Sequence, residues 1–299
     1  VKMVSNMYVA VRDFTVLWIG YKDVLLGVKD LGVNSFELVV NRDLKERPYT
    51  DMGVTFSIGF DLSTEKAIKV FSETLESEDV NVCALLVEND FAREDVEAEV
   101  KWIVNACKVA SDLGVNVVRI NPVMRVKSEI SEEEYAKLTA KCIKKVIEMT
   151  PDLDVSLGME NHGRVGNNRD FIRRVISLVS SERMGLTLDT GNFYWYGYPL
   201  NDVYSIVEEF APYVKHSHIK NLTFTEERRY IKRKPGEGYP KTAAPLYEGD
   251  IDLRRVIDTL RTAGYDGDLT VEDESLGNYP RERRLSILKK DIEYLKTLL

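Results

Sequence analysis

The sequence predicts a single-domain α/β protein, namely a (β/α)₈ TIM barrel over residues 1–299. Eight short runs rich in Val, Ile and Leu recur along the chain, and each is followed by sequence of helical periodicity. Such a barrel typically takes about 250 residues, and no Pro-, Gly- or Ser-rich linker divides the chain. A doubly wound open sheet is the alternative, but the glycine-rich phosphate motif that favours it is missing.

The eight strand candidates are short apolar segments, often preceded by Gly or Asp. Runs of this composition are typical of parallel strands that are covered on both faces. Eight of them, alternating with helical sequence, is the count for a closed barrel. The candidates span residues 3–11, 33–40, 80–87, 115–123, 155–161, 184–192, 213–221 and 267–275.

Helical patterns fill the intervals between these runs. Residues 93–114 repeat apolar side chains at three- and four-residue steps and end at Gly114, a residue suited to a helix C-terminus. The next helix opens on Ser131 with Glu134 three residues later, which is the capping-box spacing. The sequence therefore predicts helices over 93–114, 131–150, 250–267 and about 280–299.

The longest irregular insert, residues 223–249, follows the seventh strand candidate. On a barrel, a loop in this position overhangs the face where the strands end. We expect it either to act as a lid or partner contact, or to be a solvated surface loop.

Composition limits the partners and the compartment. The formal net charge is −8, from 41 basic and 49 acidic residues, which argues against nucleic acid as a partner. No run of about 18 apolar residues predicts a membrane span, and no signal-like segment opens the sequence, so we expect a cytoplasmic protein. Three cysteines without CxxC spacing predict free thiols.

Polar side chains collect where the last four strand candidates end. In a barrel these ends meet at one opening, so two carboxylates, an imidazole and a third carboxylate converge there. Packed together without a partner, the carboxylates would repel one another, and a divalent cation removes that conflict. Of the two histidines on the seventh strand, His218 lies nearer the opening than His216. The residues at these ends are Glu160, Asn161 and His162; Asp189 and Asn192; His216, His218 and Lys220; and Glu272, Asp273 and Glu274.

Oxygen and imidazole ligands suit Mn²⁺, Mg²⁺ or Co²⁺, with Fe²⁺ or Zn²⁺ also possible, and the lack of cysteine ligands argues against a structural zinc site. The structural alternative is that the same carboxylates form ion pairs with Arg or Lys that stabilise the barrel rim.

Four motifs together resemble the sugar phosphate isomerase/epimerase family of xylose isomerase-like TIM barrels, which includes ketose 3-epimerases, hydroxypyruvate isomerases and inosose dehydratases. The resemblance covers about residues 30–299 and is strongest from 155 to 275. It implies one metal ion held by Glu160, Asp189, His218 and Glu272. The motifs are ENHG (160–163), LDTGN (188–192), HSHIKN (216–221) and GYDGDLTVE (264–272).

The resemblance also implies a reaction. Glu160 and Glu272 would act as the acid/base pair in an isomerisation or epimerisation of a sugar or sugar phosphate through a cis-enediolate. His162, Asn192 and Lys220 are expected to contact the substrate, or alternatively to form salt bridges and caps. Asn221 stands where the family often has Asp, and no arginine follows His218 at the spacing of ketose epimerases, so the sugar specificity stays open.

Three other functions remain open on the sequence alone. An inosose dehydratase-type lyase would use the same metal site. A metal-dependent apurinic endonuclease shares the barrel, but it needs a multi-metal cluster with more histidines than the three present here. A non-catalytic sugar-binding barrel is the third. Barrels of this type often pair through their loops, so a homo-oligomer is compatible with each of these functions.

Overall fold

Eight parallel strands close into a barrel in this computed structural model, which describes residues 6–46, 49–51, 54–56 and 60–299. Each strand pairs with the next along the chain, and β8 pairs with β1, as in Val9 opposite Leu269. The strands are β1 (Tyr8–Arg12), β2 (Ser35–Val39), β3 (Asn81–Leu86), β4 (Val117–Ile120), β5 (Ser156–Glu160), β6 (Met184–Asp189), β7 (Val214–Ile219) and β8 (Asp268–Val271).

The predicted (β/α)₈ fold is therefore confirmed, and each of the eight predicted runs overlaps one barrel strand. The predicted runs extend beyond the strands because the residues at the strand ends turn into the loops. Residues 3–5 of the first run lie outside the described residues.

Helices pack around the barrel, and side-chain caps begin several of them. Ser131 and Glu134 form the predicted capping box, which stabilises a helix by about 1 kcal/mol. The α-helices are Asp13–Trp18, Val24–Asp30, Glu65–Glu78, Val96–Asp112, Glu132–Glu148, Gly163–Gly166, Arg169–Val179, Asn192–Tyr196, Leu200–Phe210, Glu226–Arg229, Leu253–Thr262 and Arg281–Lys296. Two hairpin-like pairs lie outside the barrel, Tyr49–Asp51 with Val54–Phe56 and Asn221–Leu222 with Ala243–Ala244.

The apolar core lies between the strands and the surrounding helices. Phe36 and Leu38 of β2 point outward into it and are fully buried, as are Ile103 and Leu260 of the helical layer. Burying one such side chain contributes about 1.5–3 kcal/mol. Because successive strand residues alternate between faces, the neighbours of these apolar residues point into the barrel.

The inside of the barrel is crowded at β5 and β6. A Cβ atom on Gly158 would lie 2.5 Å from Oγ1 of Thr187, and that hydroxyl donates a hydrogen bond to the Gly158 carbonyl oxygen. Glycine is therefore required two residues before Glu160, on the same face of the strand. This close approach brings the end of β5 next to the end of β6.

The state of the cysteines and the character of the helices are both predicted from the sequence. Cys83, Cys107 and Cys142 are free thiols, and the last two are buried. Among the helices that the structure describes, none combines the length and the apolar character needed to span a bilayer.

The insert 223–249 is anchored at a few residues, while most of residues 225–241 are exposed to solvent. Arg233 is buried, and its guanidinium lies 4.3 Å above the Tyr194 ring centre and 3.7 Å above that of Phe224. Its Nη2 donates to the Tyr198 carbonyl oxygen at 2.9 Å. The aromatic segment after β6 thus holds one part of the insert. On its other side, Asn278 donates to the Pro240 carbonyl oxygen at 3.0 Å.

Two buried aspartates join the end of β8 to the last helix. Oδ1 of Asp291 accepts a hydrogen bond from the Leu246 amide at 2.7 Å, and Oδ1 of Asp273 accepts one from Ser275 at 2.8 Å. Neither Oδ2 has another hydrogen-bond partner, and the two carboxyl groups lie within hydrogen-bonding reach of each other. Burial, and then the neighbouring Asp273 carboxylate, raise the pKa of Asp291 far above the aspartate range. The two carboxyl groups therefore share a proton at neutral pH.

The substitution Asp291→Asn tests this shared proton. A group whose pKa is raised on folding contributes stability at low pH that is lost as the pH rises toward the folded pKa, so the wild type should lose stability above about pH 4. Asparagine carries its own donor at every pH. We expect the variant to be more stable than the wild type at pH 8, by about 1–3 kcal/mol, and not at pH 4. Urea unfolding at both pH values measures the difference, and an equal effect at both would contradict it.

Candidate metal centre

The four side chains implied by the family resemblance lie side by side at the C-terminal end of the barrel. Glu160 and Asp189 are the last residues of β5 and β6, His218 is the next-to-last of β7, and Glu272 directly follows β8. All four are buried. One ligand atom from each lies within 4.8 Å of the others. The structure thus brings together three carboxylate oxygens and one imidazole nitrogen.

Three polar atoms of the cluster have no well-directed hydrogen bond, and two of them, the carboxylate oxygens, have Lys220 as an ion-pair partner. The three atoms are Oδ2 of Asp189, Nδ1 of His218 and Oε2 of Glu272, all shielded from solvent. Nδ1 of His218 lies 3.3 Å from Glu272 Oε2 and 3.5 Å from Glu160 Oε1. Buried polar atoms of this kind are costly unless something satisfies them. The arrangement fits a divalent cation bound by oxygen and imidazole ligands.

Two arginines contact this cluster, and the sequence analysis did not identify either. Arg119 of β4 pairs with Oε2 of Glu160, and Arg12 of β1 pairs with Oε1 of Glu272. Each arginine holds one oxygen of its glutamate. The other oxygen, Oε1 of Glu160 or Oε2 of Glu272, faces His218. The ion pairs of the structural alternative are thus present, and they leave one oxygen of each glutamate directed into the cluster.

Lys220 brings a third cation to the same place. Its Nζ lies 2.9 Å from Asp189 Oδ2, 3.2 Å from Glu272 Oε2 and 3.0 Å from Glu274 Oε2. Burial alone would lower the pKa of Lys220, but the three carboxylates raise it well above its ordinary value. The residue is therefore an ammonium that partly neutralises two of the four ligand groups.

Behind His218 lies Glu37 of β2, which is fully buried. Its Oε1 lies 2.9 Å from Nε2 of His218 and 2.9 Å from Nε2 of His216. Nδ1 of His216 is 2.8 Å from Oδ1 of Asp268. Both ring nitrogens of His216 therefore contact carboxylates, and the residue lies below the cluster.

Two other groups of metal-binding side chains come close together, one with Glu37 and His218 and one with Cys83 and Asp268. Both need His216 as a ligand. Because each nitrogen of His216 already has a carboxylate partner, it offers no free lone pair. Among the described residues, the cluster of Glu160, Asp189, His218 and Glu272 is thus the best candidate.

Charge is unevenly distributed among the four ligand groups. Burial would lower the pKa of His218, but Glu37 and Glu272 raise it to about 9. Burial would raise the pKa of Glu272, but Lys220, Arg12 and His218 hold it well below the glutamate range. Burial raises the pKa of Asp189, and Lys220 opposes this. Without an ion, His218 carries a proton that a metal would have to displace.

The three side chains expected to contact substrate lie next to this cluster. Asn192 donates to Glu160 Oε1 at 3.2 Å, and its Oδ1 lies 3.4 Å from Lys220 Nζ. His162 contacts Oδ1 of Asn121 through Nδ1, at 2.9 Å. Partial burial, with Arg119 and Lys220 nearby, lowers the pKa of His162, so the ring is neutral.

A cavity of about 390 Å³ opens in front of the cluster. Glu160, Glu272, His162 and Lys220 all line it. Its walls carry five cationic and five anionic side chains. The cationic ones are Arg12, Arg93, Arg119, Arg125 and Lys220, and the anionic ones are Glu88, Asp90, Glu160, Glu272 and Glu274.

The three residues that sequence reasoning missed share one signal. Arg12, Glu37 and Arg119 are charged residues within otherwise apolar strand runs, YVAVR, SFELV and VVRI. A charge inside such a run has to be paired. The signal marks each residue as unusual, but it does not reveal its partner on a distant strand.

Curated relatives match parts of the chain. Probable endonuclease 4 of Mycoplasmopsis pulmonis is 25% identical over 171 residues, which is 56% of this chain and 61% of that protein. Mannonate dehydratase of Enterococcus faecalis is 24% identical over 147 residues, 46% of this chain and 38% of that protein. The match thus spans less than two thirds of either relative.

Solved structures match over nearly the whole chain at low identity. A structure of IOLI protein with a bound zinc atom has a TM-score of 0.73 at 16% identity and covers 98% of this chain and 99% of its own. A D-allulose 3-epimerase from Methylomonas sp. in complex with D-allulose has a TM-score of 0.66 at 12% identity. The match covers 99% of this chain and 98% of the epimerase. Identities this low support the fold alone.

The family comparison covers more of the chain than the curated relatives do. The model described as xylose isomerase-like TIM barrel matches residues 26–298, which include β2–β8 and every residue of the cluster. Together with the closed eight-stranded barrel, this match shows that the chain belongs to the xylose isomerase-like TIM barrel family.

Proposed function

We propose that the protein is a divalent-metal-dependent sugar or sugar phosphate isomerase/epimerase. One observation carries this proposal: one potential ligand atom from each of four buried residues lies within 4.8 Å of the other three, so three carboxylates converge on one imidazole. The bound zinc in the IOLI protein and the bound sugar in the D-allulose 3-epimerase support it by analogy.

Glu160, Asp189, His218 and Glu272 would hold one ion, most suitably Mn²⁺, Mg²⁺ or Co²⁺, with Zn²⁺ or Fe²⁺ as alternatives. When bound, such a cation supplies Lewis acidity that stabilises negative charge on a carbonyl oxygen. The three carboxylates make the ligand set strongly anionic. That charge suits a doubly charged ion held without cysteine.

The two glutamates are the proposed acid/base pair. One takes a proton from the carbon next to a ketone, which gives a cis-enediolate, and the other returns a proton. The arginine on each glutamate holds one of its oxygens in place, and for Glu272 the cations Lys220, Arg12 and His218 also keep the pKa well below the glutamate range, so this group is a carboxylate at neutral pH. Which glutamate begins depends on the stereochemistry of the substrate.

His162, Asn192 and Lys220 are the proposed substrate contacts. The neutral ring of His162 can accept or donate a hydrogen bond to a hydroxyl group, and Asn192 orients Glu160. The charged side chains that line the cavity balance without an ion, and when the proposed ligand Asp189 is counted with them, a bound divalent ion still leaves a small positive excess. This favours a sugar that carries a carboxylate or phosphate group.

The insert 223–249 is proposed to cover this cavity as a fixed wall or lid, since its residues Tyr239 and Pro240 line a second cavity beside Glu272 and Glu274. Homo-oligomerisation through such loops is compatible with this role.

A dehydratase-type lyase on the same site is the second candidate. The observation in its favour is Lys220, a proton donor inside the cavity that could protonate a departing hydroxyl group. Its raised pKa makes it a poor acid, so isomerisation or epimerisation remains the first candidate. An apurinic endonuclease is less well supported, because the chain has three histidines, and one of them is enclosed by two carboxylates.

The reaction is tested by incubating a panel of ketoses, inososes and acidic sugars in D₂O with added Mn²⁺. We expect deuterium to enter the carbon next to the carbonyl group in at least one substrate. The variant Glu160→Gln should abolish this exchange and weaken metal binding, because it removes both a ligand charge and one member of the proposed acid/base pair. Full exchange and unchanged metal content in the variant would contradict the assignment, and loss of water from the substrate would favour the lyase.

Removing the charge of Lys220 should strengthen metal binding, whereas Glu160→Gln should weaken it. Because its ammonium contacts two ligand oxygens, Lys220→Met should bind Mn²⁺ at least about tenfold more tightly, equivalent to about 1.4 kcal/mol, while turnover falls. Isothermal titration calorimetry measures the affinity. Lys215→Met, on the same strand but only partly buried, is the matched control and should bind like the wild type. Weaker binding in Lys220→Met would show that the ammonium supports the site.

The preference for an anionic substrate is tested with two probes of nearly equal shape, D-gluconate and D-glucitol. They differ in a carboxylate and a CH₂OH group at one end. The metal-loaded protein should bind D-gluconate at least about tenfold more tightly, and added salt should reduce the difference. Equal affinities would point to a neutral sugar. D-Fructose 6-phosphate compared with D-fructose separates phosphate from carboxylate.

A further inference from the structure

We propose that Glu37 is a positioning residue that makes Nδ1, and not Nε2, the metal-binding nitrogen of His218. The inference rests on the proposed metal site and adds a residue that neither the motifs nor the comparisons assign. It is carried by the hydrogen-bond geometry around two buried histidines.

The two nitrogens of His218 face different surroundings. Nε2 lies 2.9 Å from Oε1 of Glu37. Nδ1 lies 3.5 Å from Oε1 of Glu160 and 3.3 Å from Oε2 of Glu272. A carboxylate only accepts hydrogen bonds, so Nε2 must carry a hydrogen. In the neutral ring Nδ1 then has the lone pair, and that lone pair points into the cluster.

Glu37 is itself held from two sides. Its Oε2 lies 3.1 Å from Nε of Arg12, whose Nη1 pairs with the ligand Glu272. Its Oε1 also accepts from Nε2 of His216 at 2.9 Å. The carboxylate therefore has little freedom to rotate, and it links β1, β2 and β7 beneath the cluster.

The hydrogen-bond network continues beyond Glu37, away from the cluster. Nδ1 of His216 contacts Oδ1 of Asp268 at 2.8 Å, and Oδ2 of Asp268 accepts from Oγ1 of Thr270 at 2.6 Å. These groups are all buried. A continuous chain of hydrogen bonds thus runs from β8 through His216 and Glu37 to His218, so the ring orientation is fixed by the barrel interior.

Replacing Glu37 by Gln should disturb this arrangement with little change in volume. One amide oxygen can still accept a hydrogen bond, but the NH₂ group would face either Arg12 or the two histidines, which are donors themselves. The His218 ring then loses its fixed orientation. Loss of a carboxylate behind a ligating histidine typically costs 10–100-fold in metal affinity.

The test measures Zn²⁺ and Mn²⁺ affinity of the full chain by calorimetry for the wild type and Glu37→Gln. Glu99→Gln is the matched control, since Glu99 is also buried and paired with arginines, Arg42 and Arg93, but lies on the helix Val96–Asp112. We expect a 10–100-fold loss in Glu37→Gln and wild-type affinity in Glu99→Gln.

A second measurement does not depend on any variant folding. The chain has three histidines, so ¹⁵N spectra of the rings in the Zn²⁺-loaded wild type contain three spin systems. We expect His218 to show a hydrogen on Nε2 and the metal on Nδ1. The reverse assignment overturns the inference, whether or not Glu37→Gln is stable.

The outcomes separate this inference from the proposed function. If the wild type binds zinc but Glu37→Gln binds it equally well, Glu37 is not a positioning residue, and the proposed metal site stands. If the wild type binds no divalent ion at all, both the proposed function and this inference fail.

Discussion

The structure depends on the neutralisation of five buried carboxylates inside one barrel. Glu37, Glu160, Asp189, Asp268 and Glu272 all lose most of their contact with water, and removing an ionised carboxylate from water costs several kcal/mol unless it is paired. Among the described residues, four basic side chains that point into this region each have a carboxylate partner, namely Arg12, Arg119, Lys220 and His216. Cations from β1, β4 and the β7 region therefore lower the cost of burying these carboxylates.

The cations do more than balance charge. Because Arg12 and Arg119 each hold one carboxylate oxygen, they determine which oxygen of Glu272 and Glu160 faces His218. A site whose ligands are held in place before an ion arrives needs less reorganisation when it binds. The contact with Arg12 also helps to keep Glu272 ionised. The pairing that lowers the cost of burial therefore also prepares the proposed chemistry.

The fold and part of the site could be predicted from the sequence because their signals are local. The eight apolar runs mark the strands, and carboxylates and histidines at the strand ends mark the opening of the barrel. Glu37 could not be placed in this way, since its partners His216 and His218 lie 179 and 181 residues further along the chain. The nitrogen of His218 that would bind a metal could not be predicted either, because the tautomer of the ring depends on the distant carboxylate of Glu37. Local patterns identify which groups are present, and only the closed barrel determines how they pair.

Lys220 links the state without an ion to the state with one. Its ammonium touches Asp189 and Glu272, so without an ion it takes part of the charge-balancing role that a divalent cation would fill. It also contacts Glu274, which lies outside the ligand set and is more exposed. If the proposed ion binds, its charge would repel the ammonium, and Glu274 would remain as a carboxylate partner of Lys220. One flexible side chain can thus stabilise the site without an ion and still make room for one, because it has carboxylate partners on both sides.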